Sequence, residues 1–195
     1  KQGNFGNMYT GDGASAPRYI ECRLRPLTKD ILYNPEITRY VPSYDGRGKE
    51  PVVFRAKLPL ALIMGAEGIA VGMSTKILPH NIKDVIEAEK AYLSGKDFKI
   101  YPDFPTGGII DVSNYNDGNG KIIGRAKLDT SDPKRIVITE LPPGTNTESL
   151  TQSIEQATKS GKLKISSIND YTTNKVEIEI KLQRGVYAED VIDAL

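Results

Sequence analysis

The chain has 195 residues, enough for one good core, or for one domain with part of a second, and too few for two complete ones. With 38% hydrophobic and 26% charged residues, and no apolar run near the ~20 residues that a bilayer span needs, it excludes membrane integration by a helix. A net charge of +1 gives no bulk argument for nucleic acid, and the lone cysteine, Cys22, cannot form an internal disulfide.

That single cysteine, with no signal-peptide pattern, agrees with a reducing cytosol. Charge is unevenly spread: residues 1–60 hold ten Lys and Arg against six Asp and Glu, a balance of +4, while the rest sums to −3. An anionic partner at the N-terminal end and a plain solvated surface explain this equally well. The chain opens at KQGNFG, without methionine and inside what reads as a loop, so an excised fragment is expected.

Residues 3–13, GNFGNMYTGDG, carry four glycines and an aspartate, which predicts a loop with several positive-φ positions. A helix should follow: Ser15 can cap it, Pro17 suits its first turn, and Ile20, Leu24, Leu27 and Ile31 recur at helical spacing. Pro26 interrupts that pattern, because it has no amide hydrogen and disfavours helical geometry at Arg25; a kink or two short helices is expected. The stretch VPSYDGRGKEPVVFRAKLPL mixes Pro, Gly and charge and reads as a connector with short extended pieces, at the boundary between two domains. LALIMGAEGIAVGM is punctuated by Gly65, Gly68 and Gly72, too often for a long helix and too apolar for a free loop.

Asn81 caps a helix on Ile82, Val85, Ile86, Tyr92 and Leu93, with Lys83 and Glu87 four apart and Gly95 as its stop. From Gly107 the pattern turns mixed: GGIIDV, GKIIGRAKL and KRIVITEL read as strands, the last two joined by DTSDP. Thr145 and Glu148 form a capping-box pattern opening a helix through Leu150, Ile154 and Ala157 that stops at Gly161. KVEIEIKL alternates Val176, Ile178, Ile180 and Leu182 with polar neighbours, a strand with one wet face. Residues 187–195 begin another helix. The fold class is thus mixed α and β.

Several chemistries can be set aside. GNGK at 118–121 lacks the glycine spacing and the Ser or Thr of a Walker A loop and reads as a hairpin turn, so no ATP site is expected. His80 and Cys22 cannot build a zinc site, and no acidic cluster for magnesium is apparent, so no metal is assigned to this chain. His80, in LPHN, reads as a turn histidine or a phosphate contact. Tyr19, in SAPRYIECRL, is the nucleophile candidate. A phenol ionises near pH ~10 in water, so it needs a base, a cation or a positive dipole to act at neutral pH. Arg18, a helix N-terminus and the glycine-loop amides would supply that setting; on spacing alone, packing is the commoner fate of such a tyrosine. Ile69, between Gly68 and Gly72, reads either as buried core or as an apolar wedge between base pairs, and the core reading is the default.

The same residues carry a family resemblance. GNFG and GDGASAPRYIE resemble the active-site tyrosine segment of the A subunits of bacterial type IIA DNA topoisomerases, gyrase and topoisomerase IV. VPSYDG, RAKLPL, GAEGIAVGMSTKILPHN, PDFPTGG and ITELPPGTNTESL follow in order as successive family signatures over essentially the whole chain. AEGIAVGMSTKILPHN and KSGKLKISSINDYT are more similar to topoisomerase IV than to gyrase. Pro17 and Pro26 are less usual for the family and bear on helix geometry rather than on chemistry.

The resemblance implies that Tyr19 attacks a DNA phosphodiester, leaving a 5′-phosphotyrosyl link and a free 3′-hydroxyl, and that Arg18 stabilises the charge developing on that phosphate. It implies that Ile69 is the wedge that bends the cleaved duplex. It also implies that residues 1–45 end a winged-helix domain, and that 46–195 form most of a tower domain with a mainly antiparallel sheet and flanking helices. Arg55, Lys57, Lys76 and His80 would contact double-stranded DNA through its phosphates. Mg2+ and ATP would be supplied by the B subunit, in an A2B2 assembly built on an A-subunit homodimer, at a cytoplasmic, nucleoid-associated location. Two rivals stay open: an architectural DNA-bending module in which Tyr19 is structural, and a phosphate-binding α/β enzyme resting on the glycine loop alone.

Overall fold

The structure, a computed structural model, describes residues 1–194. The chain is mixed α and β, with antiparallel strand pairing throughout the described residues. It divides into two compact units, Lys1–Gln2 with Glu21–Asp103, and Gly3–Ile20 with Phe104 onward.

The first unit begins with an extended stretch where helical spacing predicts helix. Arg25 sits at φ −81, ψ 156, driven there by the ring of Pro26, and α1 (Pro26–Leu32) starts on that proline, whose missing amide costs nothing at a first helical position. A short hairpin follows, β1 (Tyr40–Pro42) with β2 (Lys49–Pro51). Its turn is held by the Gly48 amide donating to Ser43 Oγ at 2.9 Å and the Ser43 hydroxyl donating to Asp45 at 2.6 Å. The apolar, glycine-punctuated stretch resolves into α2 (Leu60–Met64) and a second hairpin, β3 (Ala66–Ala70) with β4 (Met73–Ile77). Gly65 joins them at φ +72, where a Cβ would lie 2.7 Å from the Ile77 carbonyl, so only glycine fits.

Helix α3 (Ile82–Leu93) is capped as its sequence predicts, Asn81 accepting from the Lys83 amide at 3.0 Å, with Val85 and Ala88 buried and Gly95 at φ +67 beyond its end. Glu87, however, pairs with Lys90 at 2.6 Å and not with Lys83. Three and four residues are both one helical turn away, and rotamer choice decides between them.

The second unit is built on a four-stranded sheet whose strands lie in the order Lys127–Asp129, Arg135–Glu140, Ile178–Leu182, Ile165–Asp170. Its hairpin β5 (Ile109–Asp111) with β6 (Ile123–Arg125) precedes β7 (Lys127–Asp129), β8 (Arg135–Glu140), α4 (Thr147–Lys159), β9 (Ile165–Asp170) and β10 (Ile178–Leu182). Alternation along β8 and β10 puts Ile136, Ile138, Ile178 and Ile180 into the core with Ile154 of α4 and with Leu141, Leu163, Ile165 and Val176. The helix start differs by one residue from its capping-box prediction. Asn146, not Thr145, accepts from the Ser149 amide at 2.8 Å, and Ser149 rather than Glu148 answers from the third position. GNGK lies in the loop between β5 and β6, beside a 3-10 turn at Asn116–Gly118.

Strand β9 is absent from the expectations above. Its isoleucines, 165 and 168, are three apart, which breaks the period of two. A bulge opposite Lys181/Leu182 restores both to one face: Ile168 lies opposite Ile180 and Ile165 opposite Leu182. The helix expected from residue 187 is two 3-10 turns, Ala188–Asp190 and Ile192–Ala194; its final position, residue 195, lies outside the described residues.

Candidate active site

Residues 3–20 fold back on themselves as an irregular hairpin. The Ser15 amide donates to Asn4 O at 3.1 Å, the Asn7 amide to Asp12 O at 3.1 Å and the Gly11 amide to Asn7 O at 2.9 Å. Asn4 and Asn7 turn the chain with their own side chains, accepting from the Gly6 and Tyr9 amides at 2.8 and 2.9 Å. Gly3, Gly6 and Gly11 take positive φ, as the glycine spacing predicts.

The expected helix after this loop is a single 3-10 turn, Pro17–Tyr19, with the Tyr19 amide donating to Ala16 O at 2.9 Å. Ala16, not Ser15, occupies the cap position, and no side chain caps it. The chain leaves extended at Ile20, φ −122, ψ 146. Tyr19 therefore ends one short turn and does not stand at a helix N-terminus. The helix-dipole contribution expected at this tyrosine is absent, since a macrodipole needs several aligned peptide units.

The cation is in place. The Arg18 guanidinium carbon lies 4.7 Å from the centre of the Tyr19 ring, and the tyrosine side chain is open to solvent, 69% exposed. Adjacent residues diverge by about 100° on an α-helix and by about 120° on a 3-10 turn, so it is the long, flexible arginine stem that folds the guanidinium back over the ring. The guanidinium is attracted to the electron-rich face of the phenol ring, and one so exposed can turn to a phosphate oxygen that approaches the hydroxyl. The described residues contain no group of three or more His, Cys, Asp or Glu able to hold a metal ion.

The other candidates lie in the first unit. On the β3–β4 hairpin Ile69 pairs with Ser74 and Glu67 with Lys76, so pleating sets these four on one face. Ile69 is 88% exposed, which removes the buried-core reading; Val71 and Met73, beside the turn at Gly72 (φ +78), are exposed too. No sequence signal separates such an apolar tip from core, because both are written in the same residues. Arg55, Lys57 and Lys76 are exposed, and the Lys57 backbone is anchored by its amide donating to Ile31 O at 2.8 Å. His80 differs from them. It is 5% exposed, and its Nδ1 lies 3.1 Å from Leu62 O; a carbonyl can only accept, so that nitrogen donates. Its imidazole thus lies beneath the surface rather than on it.

Two further residues touch the tyrosine-bearing segment; both lie in the signature ITELPPGTNTESL, which does not itself point to that contact. Thr147, first residue of α4 and 3% exposed, donates its amide to Tyr9 O at 2.8 Å. Asn146 lies against Gly11. Only long-range folding brings them there.

The whole chain, residues 1–195, matches the family model that describes the A subunits of DNA gyrase and topoisomerase IV. It is 60% identical over 195 residues to the DNA topoisomerase 4 A subunit of Borreliella burgdorferi, covering 100% of this chain and 31% of that protein. It is 36% identical over 207 residues to the chloroplastic/mitochondrial DNA gyrase A subunit of Arabidopsis thaliana, covering 94% of this chain and 22% of that one. With the DNA gyrase A subunit of Brachyspira hyodysenteriae it shares 35% over 216 residues, 100% of this chain and 26% of the relative. The chain thus spans a third or less of the length of these relatives.

Proposed function

Because this chain belongs to the family of DNA gyrase and topoisomerase IV A subunits, we propose that it is the nucleophile-bearing part of the DNA breakage-reunion subunit of a type IIA topoisomerase, of the topoisomerase IV kind. Tyr19 Oη attacks a backbone phosphorus of double-stranded DNA. The new bond is a 5′-phosphotyrosyl ester; the bond that breaks is P–O3′, and the 3′ oxygen leaves as a hydroxyl while the phenol gives up its proton. One ester replaces another, so reversal reseals the strand without an external energy source for that step. Arg18 neutralises charge on the phosphate oxygens as they crowd around phosphorus. Ile69 enters the duplex from the hairpin tip and kinks it, while Arg55, Lys57 and Lys76 hold its phosphates.

In this reading residues 1–45 close a winged-helix domain and 46–195 form much of a tower domain. Two such A subunits join two B subunits, which bring the magnesium and the ATP, and the assembly works on the bacterial chromosome in the cytoplasm. The observation that carries the reading is a solvent-open tyrosine stacked by its neighbouring arginine, at 4.7 Å, on a glycine-built loop. The test is the full-length A subunit with its B subunit, Tyr19→Phe against wild type, assayed for protein covalently trapped on DNA ends. Trapping is expected to vanish. Undiminished trapping would remove Tyr19 from the chemistry and leave the architectural bending module, which the exposed Ile69 hairpin could serve without it.

A further inference from the structure

We infer that the N-terminus of α4, through Asn146 and Thr147, is a positioning element for Tyr19, acting along the length of the glycine-rich hairpin. The inference rests on the proposed role of Tyr19. All the contacts lie within the second compact unit. At the tip of the hairpin, Tyr9 packs its side chain against the sheet core and its carbonyl accepts the Thr147 amide at 2.8 Å. Also at the tip, Gly11 lies so close to α4 that a Cβ there would sit 2.7 Å from Asn146 Cγ. Toward the other end, Gly3 approaches the tyrosine segment just as closely: a Cβ would be 3.0 Å from Tyr19 O and 2.8 Å from Ile20 Cγ2. Between tip and base run the Asn7–Asp12 and Asn4–Ser15 backbone bonds.

The dock is tied to the helix itself. The first amides of a helix have no intrahelical acceptor; here Asn146 Oδ1 serves the Ser149 amide at 2.8 Å and Tyr9 O serves that of Thr147. Thr147 is buried with the loop in place, so in the docked arrangement its amide is served by Tyr9 O and not by water. Sliding the loop would strip the Thr147 amide of its acceptor, and shifting the start of α4 would drive Asn146 against Gly11. In-line attack tolerates little displacement: a misplacement of about 1 Å costs ~100-fold in rate. Asn146 and Thr147 touch no substrate in this scheme and act only through the loop.

The test is a double-mutant cycle in the full-length A subunit reconstituted with its B subunit. Single-turnover formation of the covalent complex and affinity for the same duplex are measured separately. Gly11→Ala drives a methyl into Asn146 and is expected to slow covalent-complex formation by about tenfold or more, with duplex affinity unchanged. Asn146→Gly keeps a competent cap and opens the space, so Gly11→Ala/Asn146→Gly is expected to recover most of the loss. The backbone strain of alanine at position 11 is common to both arms and cancels in the coupling. Where Gly11→Ala does not fold, Tyr9→Ala, which frees the tip without a clash, is read in the same way. An additive cycle, an unchanged rate, or a loss that lies wholly in duplex affinity overturns the inference. Covalent complex persisting in Tyr19→Phe would instead overturn the assignment of the nucleophile.

Discussion

At the scale of single residues, the pairing of Arg18 with Tyr19 uses what arginine has and lysine lacks, a planar cation that both stacks on a ring and offers a fork of donors to phosphate. Arg18→Ala is expected to lower the rate of DNA cleavage by the reconstituted enzyme about 10²–10³-fold, the size of losing one preorganised donor to a developing charge. Arg18→Lys should restore only part of it. A second residue-scale expectation concerns Glu140. Its carboxylate accepts from the Gly108 amide at 2.8 Å and from Lys127 Nζ at 3.0 Å, and these contacts, the amide foremost, hold it below its ordinary value of 4.5. A carboxyl depressed by folding stabilises the fold fully above its unfolded value, and that contribution is lost as pH falls through the lower, folded one. The urea midpoint of the second unit should therefore hold steady down to the ordinary carboxylate range and fall below it. Glu140→Gln should flatten the acid limb of that profile.

At the scale of elements, the start of α4 separates pattern from contact. Thr145 and Glu148 satisfy the capping-box spacing, yet Asn146 makes the bond to Ser149. Asn146→Ala is expected to cost about 1 kcal/mol and Thr145→Ala no more than about 0.5 kcal/mol, read by chemical denaturation. A capping motif names a residue type and a spacing, and several polar residues in a row satisfy it in more than one register. The same limit explains the first helix. Ile20, Leu24, Leu27 and Ile31 fit a helical period, but Glu21 exchanges backbone bonds with Gln2 at 2.9 Å in each direction, and this bridge to the start of the chain outcompetes a weak local propensity. Where local and long-range preferences agree, as in α3 with its Asn81 cap and in β10 with its strict alternation, the elements were readable in advance. Strand β9 was hidden because its bulge, which sets Ile165 and Ile168 on one face, is a property of the pairing with β10.

At the scale of the whole molecule, the near-neutral total charge hides a local excess toward the N-terminal end. If Arg55, Lys57 and Lys76 each neutralise a phosphate, replacing all three by alanine should weaken duplex binding across sequences alike. It should also reduce the slope of log K against log salt by about 0.9 for each phosphate no longer neutralised; an unchanged slope would show that they face solvent. The amino-acid order alone determined the family, the mixed α and β class, the position of the glycine hairpin and the identity of the candidate nucleophile. These depend on residue type and short spacing, which exist before the chain folds. Tertiary structure alone decided that Tyr19 closes a 3-10 turn under its arginine, that Ile69 is exposed and His80 buried, and that the glycine hairpin is seated on α4. Exposure and contact between residues more than a hundred positions apart are set by how elements pack, and an apolar residue is written the same way whether it fills a core or stands at the tip of a hairpin.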